Sequence, residues 1–359
     1  MLVHICCSVD SHFFLQKLQK LYPNEELVGF FYDPNIHPYS EYFLRLLDVK
    51  RSCKMLGVKL IEGKYDVKGW LEAVRGYENE PEKGQRCTLC FDNRVEVSMK
   101  KAKELGIDKV TTTLLTSPKK SIEQLTTVGK KLGSKYGIEF VSVDFRKNGG
   151  TNEQFLLAKE DRLYHQDYCG CLYALGKQRD IQGKIADELF VNIANQTQPE
   201  SIEERIELYQ KRVELEEKKI RYDIVKESFV NYRLLRAYLS VDKKIVPSYP
   251  LFYSYMKRKK VKLRVEKSIK DIHYANRDNI KFVEIDYFNK MTNHSYRNIK
   301  ELIIHPPSVK DEINFRNYIE KSFYSLSPVI VVERVDFKTF ELYLEANYYN
   351  DIRENLVIF

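Results

Sequence analysis

The first 145 residues alternate short β-branched runs with amphipathic stretches, and that alternation limits the fold more than any other feature. Strand candidates are Leu2–Cys6, Leu27–Tyr32, Val58–Glu62, Lys109–Leu115 and Phe140–Phe145. Between them, residues 11–21, 40–56, 91–105 and 121–136 carry Leu, Val and Ile at helical spacing. Gly57, Gly106 and Gly137 fall where a helix should end and the next strand begin, the place of a left-handed C-cap. The pattern predicts an α/β fold, a parallel sheet between two layers of helices. In such folds ligands gather outside the carboxyl ends of the strands. Cys6 and Cys7 lie at that end of the first candidate strand.

From about residue 180 the texture changes. Ser201-Ile-Glu-Glu opens a charged helical stretch that could reach Leu239, with Ser201 as N-cap and Glu204 at the capping-box position. Strand-like runs follow at Val261–Val265, Lys281–Tyr287, Ile299–Ile304 and Val329–Val332, with a helix candidate at 311–323. The expected organisation is a metal-containing catalytic α/β domain over 1–179 and an accessory α+β region over 180–359.

No stretch approaches the roughly 20 apolar residues that span a bilayer. The N-terminus, Met1-Leu-Val-His-Ile-Cys-Cys, lacks the basic start and long apolar run of a signal peptide. These features predict a cytoplasmic protein with no membrane partner, in a compartment where thiols stay reduced. The net charge is +8, and residues 251–300 alone hold thirteen Lys/Arg against five Asp/Glu. One window therefore carries the whole surplus, which predicts a local basic patch.

Six of the seven cysteines form three close pairs: Cys6-Cys7, Cys87-x-x-Cys90 and Cys169-Gly-Cys171. Pairs far apart in sequence but tight within themselves predict a metal or redox site where three loops converge. One structural zinc needs four ligands and would leave a pair idle. More than four soft thiolates suit an iron–sulfur cluster together with a further metal or a redox-active dithiol. In an extended strand, Cys169 and Cys171 would share a face, able to bind one metal or close a strained disulfide. Asp10 could add a hard oxygen ligand or a proton, or simply cap the helix at 11–21. Cys53, alone on a candidate helix, reads as an ordinary packed cysteine.

Polar strings accompany these pairs at the same edge of the sheet. Tyr32-Asp-Pro-Asn-Ile-His-Pro-Tyr-Ser-Glu-Tyr follows the second strand, with Asn35, His37, Glu41 and Tyr42. Thr111-Thr-Thr-Leu-Leu-Thr-Ser-Pro-Lys-Lys follows the fourth, with hydroxyls and two lysines that could hold phosphate or ribose, and Asp144-Phe-Arg146 ends the fifth.

With Arg94, Tyr164 and Gln166, these strings resemble the QueH-type epoxyqueuosine reductases over about residues 1–178. One departure is Ser8-Val9, where many members carry Ala-Pro; neither pair offers a ligand. The resemblance implies a sheet of the nucleotide-hydrolase type and the last step of queuosine synthesis on tRNA. There the epoxide at the wobble nucleoside is reduced, without cobalamin, and its oxygen leaves as water. The resemblance further implies a 4Fe-4S cluster on Cys6, Cys7, Cys87 and Cys90. Cys169 and Cys171 would be a redox-active pair or ligands of a second, mononuclear iron, with Asp10 at that metal. Asp10, His37 or Tyr42 could supply protons, and the electron donor is not named by the residues. Beyond the resemblance, Lys257–Lys260, Lys262, Arg264, Lys267 and Lys270 lie among aromatics and could grip tRNA phosphates or form a solvated charged face. Two competing classes are a nucleotide-hydrolysing tRNA-modifying enzyme and a zinc-stabilised RNA-binding protein without catalysis. The first strand runs into Cys-Cys-Ser-Val-Asp rather than a phosphate loop, which weighs against the former.

Overall fold

The structure is a computed structural model and describes every residue except 119, 191–193, 195 and 321–324. Two compact units emerge. The first comprises Met1–Leu189, Arg205–Ile224 and Leu356–Phe359; the second comprises Phe190–Glu204 and Val225–Asn355.

The first unit is built on five parallel strands: β1 (Leu2–Ile5), β2 (Val28–Phe31), β3 (Lys59–Glu62), β4 (Lys109–Thr112) and β5 (Glu139–Phe140). Their order is β3-β2-β1-β4-β5. β1 and β2 are buried along their whole length, which is why they read as unbroken apolar runs rather than alternating ones. The helices are α1 (Ser8–Leu21), α2 (Tyr39–Leu56), α3 (Val67–Ala73), α4 (Gln85–Glu104), α5 (Ile122–Tyr136), α6 (Gly150–Glu160), α7 (Leu172–Gln182) and α8 (Ile202–Glu217). α1 packs on α2 and α6, and α4 packs on α5. Right-handed crossovers put these two groups on opposite faces of the sheet, giving the expected three layers. The strand order reverses between β1 and β4, so the chain leaves their carboxyl ends in opposite directions and opens a crevice there.

Both strands beyond that crevice are shorter than their sequences suggest. β4 stops at Thr112, whose hydroxyl accepts the Leu114 N–H at 3.2 Å and starts a 3-10 turn at Thr113–Leu115. β5 then loses its partner. The Val141 N–H still reaches Val110 O at 2.9 Å, and the Thr111 hydroxyl donates to Val141 O at 2.7 Å. The run to Phe145 continues as loop.

The second unit carries an eight-stranded mixed sheet in the order β7-β6-β13-β9-β10-β11-β12-β8. The strands are β6 (Tyr222–Val241), β7 (Lys244–Val246), β8 (Ser248–Pro250), β9 (Lys260–Ile269), β10 (Ile272–Ala275), β11 (Lys281–Glu284), β12 (Val329–Val332) and β13 (Thr339–Ile358). Helices α9 (Ile285–Thr292), α10 (Ile299–Ile304) and α11 (Val309–Glu320) contribute Phe288, Leu302 and Phe315 to a buried cluster.

Three expectations are corrected here. The helix from Ser201 does not reach Leu239. Ser201 Oγ does accept the Glu204 N–H at 3.2 Å, but Glu204 reaches back to the Glu200 N–H at 2.7 Å instead of to Ser201. The helix closes where Lys219 turns left-handed (φ 55) and the Ile220 N–H returns to Leu215 O at 2.9 Å. The β-branched and aromatic run after it forms β6. Ile299–Ile304 is helical, because Asn298 accepts the Glu301 N–H at 2.9 Å and caps it. Lys281–Tyr287 is a strand only to Glu284. The end of the candidate helix at 311–323 lies outside the described residues. Among the described residues, no helix is long and apolar enough to cross a membrane.

Candidate active site

β1 ends at Ile5 and α1 begins at Ser8, so Cys6 and Cys7 occupy the turn between them. Their sulfurs lie 3.8 Å apart, and Cys6 Sγ is 3.8 Å from Asp10 Oδ2. All three ligand atoms fall within 4.8 Å of one another. Asp10 is not the N-cap of α1; Cys7 holds that position, and Asp10 is a buried residue of the first turn. Its Oδ1 accepts from Gln154 Nε2 of α6 at 2.7 Å. Burial pushes the Asp10 carboxyl up, against the pull of hydrogen bonds from Cys7 and Gln154 and of the Lys120 charge. The Cys7 thiol is held well above its usual value by its bond to Cys6, by burial and by the Asp10 charge. Across the crevice, Thr113 Oγ1 accepts from the Cys6 N–H at 3.3 Å, which ties the ends of β1 and β4 together.

Cys87 and Cys90 lie on the opening turns of α4, not on a loop as the sequence suggested. Three residues apart on a helix, they share a face. Burial raises both thiols; Lys120 opposes this at Cys87 and Arg94 at Cys90.

The Cys169-Gly170-Cys171 turn is fixed by backbone contacts with the string after β2. The His37 N–H donates to Gly170 O at 2.8 Å, Ile36 forms a bridge with Cys171, and Tyr168 Oη donates to His37 O at 2.7 Å. Beneath it, Arg45 donates to Tyr168 O at 3.0 Å and to Cys169 O at 3.4 Å, and it is itself bound by Glu41 at 2.6 Å. Glu41 also accepts from Tyr164 Oη at 2.9 Å. Gly170 sits at φ +96, and a Cβ there would stand 2.9 Å from the Ile36 side chain. No L-residue with a side chain fits that position easily.

Lys120 Nζ stands 2.8 Å from Cys169 Sγ. Burial alone would raise the Cys169 thiol, but Lys120, joined by Arg94 and Arg45, overturns that and holds it below its ordinary value. Burial, and the charge of Cys169 beside it, push Cys171 up to about 12. The two thiols of the turn are therefore shifted in opposite directions. The loop bearing Lys120 is braced by Arg146, which donates to Ser117 O at 3.2 Å and Lys120 O at 3.0 Å.

These groups meet at a cavity of about 350 Å³, whose lining includes Cys6, Asp10, Asp33, Arg94, Lys120 and Cys169. Arg94 forms a buried ion pair with Asp33, and burial pushes that carboxyl up to about 6 even so. His165 also lines the cavity, whereas His37 and Tyr42 do not. The Tyr42 hydroxyl turns to Gly63 O at 3.4 Å. Asp10 is thus the one expected proton donor that reaches the cavity.

Asp33, Gln154 and His165 carried no role in the sequence reading. Lys120 was visible only as a phosphate-binding candidate, because nothing local shows that its neighbour in space is a thiol 49 residues on. Lys119 lies outside the described residues. Cys53 is fully buried and its thiol is pushed up to about 12, as an inert core cysteine should be. All seven cysteines are free, with no disulfide formed.

The family model of epoxyqueuosine reductase QueH matches residues 1–177. Over 357 residues the chain is 39% identical to epoxyqueuosine reductase QueH of Helicobacter pylori, covering 94% of this chain and 95% of that protein. The chain belongs to the QueH family. A second QueH, from Acinetobacter baylyi, is 36% identical over 204 residues, 56% of this chain and 93% of its own. Near full-length coverage by the first relative extends the kinship with QueH across the second unit as well. Among solved structures, a predicted subunit of a tRNA methyltransferase from Methanocaldococcus jannaschii overlays 54% of this chain and 93% of its own, at 18% identity and a TM-score of 0.34. That likeness is too slight to argue from.

Proposed function

We infer that this chain reduces the epoxide of epoxyqueuosine in tRNA to the cyclopentene of queuosine. The observation that carries this is the crevice itself. In a member of the QueH family, thiols, a raised carboxyl and an ammonium line one cavity at the switch point of a parallel sheet. Balanced, the reaction breaks both C–O bonds of the epoxide, consumes two electrons and two protons, and releases water.

The residues fit an iron–sulfur site. The donors are soft thiols in excess of four, buried or half-buried, and the cations Arg94 and Lys120 would offset the charge of a thiolate cluster. Bound there, a 4Fe-4S cluster would supply the electrons, and an iron beside it would polarise the epoxide oxygen. Cys6, Cys7, Cys87 and Cys90 would hold the cluster, leaving Cys169 and Cys171 as a redox pair. One observation favours a second division. Cys6, Cys7 and Asp10 gather within 4.8 Å, a ligand set for one metal ion, while Cys90, Cys169 and Cys171 share a packing cluster.

The chain's own part is charge and proton control. Asp10, raised by burial, is placed beside Cys6 to hand on a proton. The Lys120 ammonium faces the same space and favours an oxyanion forming as the first C–O bond breaks.

Anaerobic purification with iron, sulfide and zinc analysis, followed by turnover on epoxyqueuosine-tRNA, tests the reading. Iron and sulfide near four or more per chain, with queuosine formed, support it; zinc alone, or tight ATP binding without reduction, overturns it. Cys171→Ser decides the division. Lost turnover with the four-iron absorption kept makes the turn a redox pair, and lost absorption makes Cys171 a ligand.

A further inference from the structure

The second unit holds a surface that the basic window alone does not reveal. Along β9, Lys260, Lys262 and Arg264 share the solvent face, while Val261, Leu263 and Val265 turn to the core. Register with β13 sets Tyr343 opposite Lys260, Glu341 opposite Lys262 and Thr339 opposite Arg264. On that face Tyr343 lies parallel to Tyr238 of β6, with ring centroids 5.2 Å apart and planes within 2°. The Arg236 guanidinium sits over both rings, 5.6 Å from Tyr238 and 5.3 Å from Tyr343. Neither ring is buried.

Of the aromatics inside the basic window, Tyr255 lines a cleft beside β9, while Phe252 and Tyr253 do not serve this face. Phe252 is buried against Tyr232, and the Tyr253 hydroxyl is bound to Val230 O. The rings that do serve it come from strands about 20 residues upstream and 80 downstream of β9, brought together only by the sheet.

Charge on this face is uneven. Lys260 pairs with Glu341 at 2.9 Å, and Lys259 pairs with Glu345. Lys262 and Arg264 have no ion pair among the described residues. Beside the first half of β9 opens a cleft of about 620 Å³, lined by Lys257, Arg258, Lys260, Lys262 and Arg277 against the single carboxylate of Asp278. Like charges at every second residue of a strand repel one another. A polyanion relieves that repulsion, and flat rings with a guanidinium are what an unpaired base stacks on.

We propose that this face is a platform for single-stranded RNA, with Tyr238, Tyr343 and Arg236 stacking an unpaired base while Lys262, Arg264 and the adjoining cleft bind the flanking phosphates. It deepens the tRNA reading above and rests on it. RNA is favoured over an acidic protein because paired planar rings beside the cations suit nucleobases.

The test uses the full-length protein, a fluorescent tRNA anticodon stem-loop and an RNA duplex of equal length, with binding measured by anisotropy over a salt series. Lys262→Glu/Arg264→Glu should weaken stem-loop binding more than tenfold and lower the salt slope by about 1.4, roughly 0.7 per lost phosphate contact. Tyr343→Ala should weaken the stem-loop about tenfold or more, leave the duplex unchanged and keep the salt slope. Lys262→Gln/Arg264→Gln should move binding the same way by less, which covers a charge reversal that fails to fold. If these variants bind like wild type while wild type still binds and reduces epoxyqueuosine-tRNA, the platform is wrong and the reaction stands. Wild type that neither binds nor reduces tRNA overturns both. Equal weakening of stem-loop and duplex by Tyr343→Ala overturns the stacking role.

Discussion

Lys120 places its ammonium 2.8 Å from the Cys169 sulfur, and this contact separates the two thiols of the Cys-Gly-Cys turn. Cys169 lies below its ordinary value, although burial alone would raise it, and Cys171 rises to about 12. Replacing Lys120 by Met nearly keeps the length of the side chain, one atom shorter, and removes the charge. In metal-free protein, the apparent pKa for alkylation of Cys169, followed by mass spectrometry, should then rise above that of an ordinary thiol. Turnover should fall about a hundredfold or more if, as proposed above, the same charge faces the reacting oxygen. Unchanged alkylation would mean that the contact does not set the state of Cys169.

Gly170 should tolerate no side chain. At φ +96 an alanine is strained, and its Cβ would press on Ile36 at 2.9 Å and on the Arg45 guanidinium at 3.2 Å. Gly170→Ala should cost more than about 1 kcal/mol in urea unfolding. Turnover should suffer more than stability, since the same strain moves both sulfurs. A variant with wild-type activity would show that the turn adapts.

The Glu41–Arg45 pair is the buried support of that turn, with side chains 1% and 3% exposed. Glu41→Gln leaves a buried guanidinium whose hydrogen bonds go only to carbonyl oxygens, so a loss of about 3–5 kcal/mol is expected. The ion pair of Lys50 with Glu62 is the control. Its side chains are 53% and 47% exposed, and Glu62→Gln should cost under about 1 kcal/mol. Comparable losses from both would mean that burial is not what gives the Glu41 pair its weight.

Much of the first unit could be read from its residues because each of its signals is local. Buried parallel strands show as apolar runs, helix ends show as glycines, and tight cysteine pairs show as spacing. The end of the first apolar run is enough to place Cys6 and Cys7 at the sheet's carboxyl edge. What escaped is non-local. Lys120 meets Cys169 only because the loop after β4 folds over the crevice, and Gln154 reaches Asp10 from 144 residues away. In the second half the charged pattern of α8 runs on in the sequence, because nothing before Lys219 marks a stop. There the sheet contacts of β6 decided the structure. Ile299–Ile304 misled for a similar reason: three isoleucines and a leucine in a six-residue run fit either state, and the Asn298 cap decides between them.

Glu312 should make the second unit sensitive to pH. It is buried and accepts from Tyr249 Oη at 2.6 Å, Gln196 Nε2 at 2.6 Å and the Phe252 N–H at 2.7 Å. None of these donors is charged. Burial dominates and pushes its carboxyl from the usual 4.5 up to about 7, although the three hydrogen bonds favour the ionised form. The folded chain then holds this proton more tightly than the unfolded chain does. Its contribution to stability is complete below about pH 4.5 and is lost as pH rises to about 7. That loss is on the order of 3 kcal/mol if the site titrates independently. Glu312→Gln has no proton to lose, so unfolding free energies measured by urea between pH 5 and pH 8 should lose this slope in the variant and keep it in wild type. If both proteins share one slope, or if wild type grows more stable as pH rises through this window, the Glu312 carboxyl is ionised throughout and its three donors outweigh its burial.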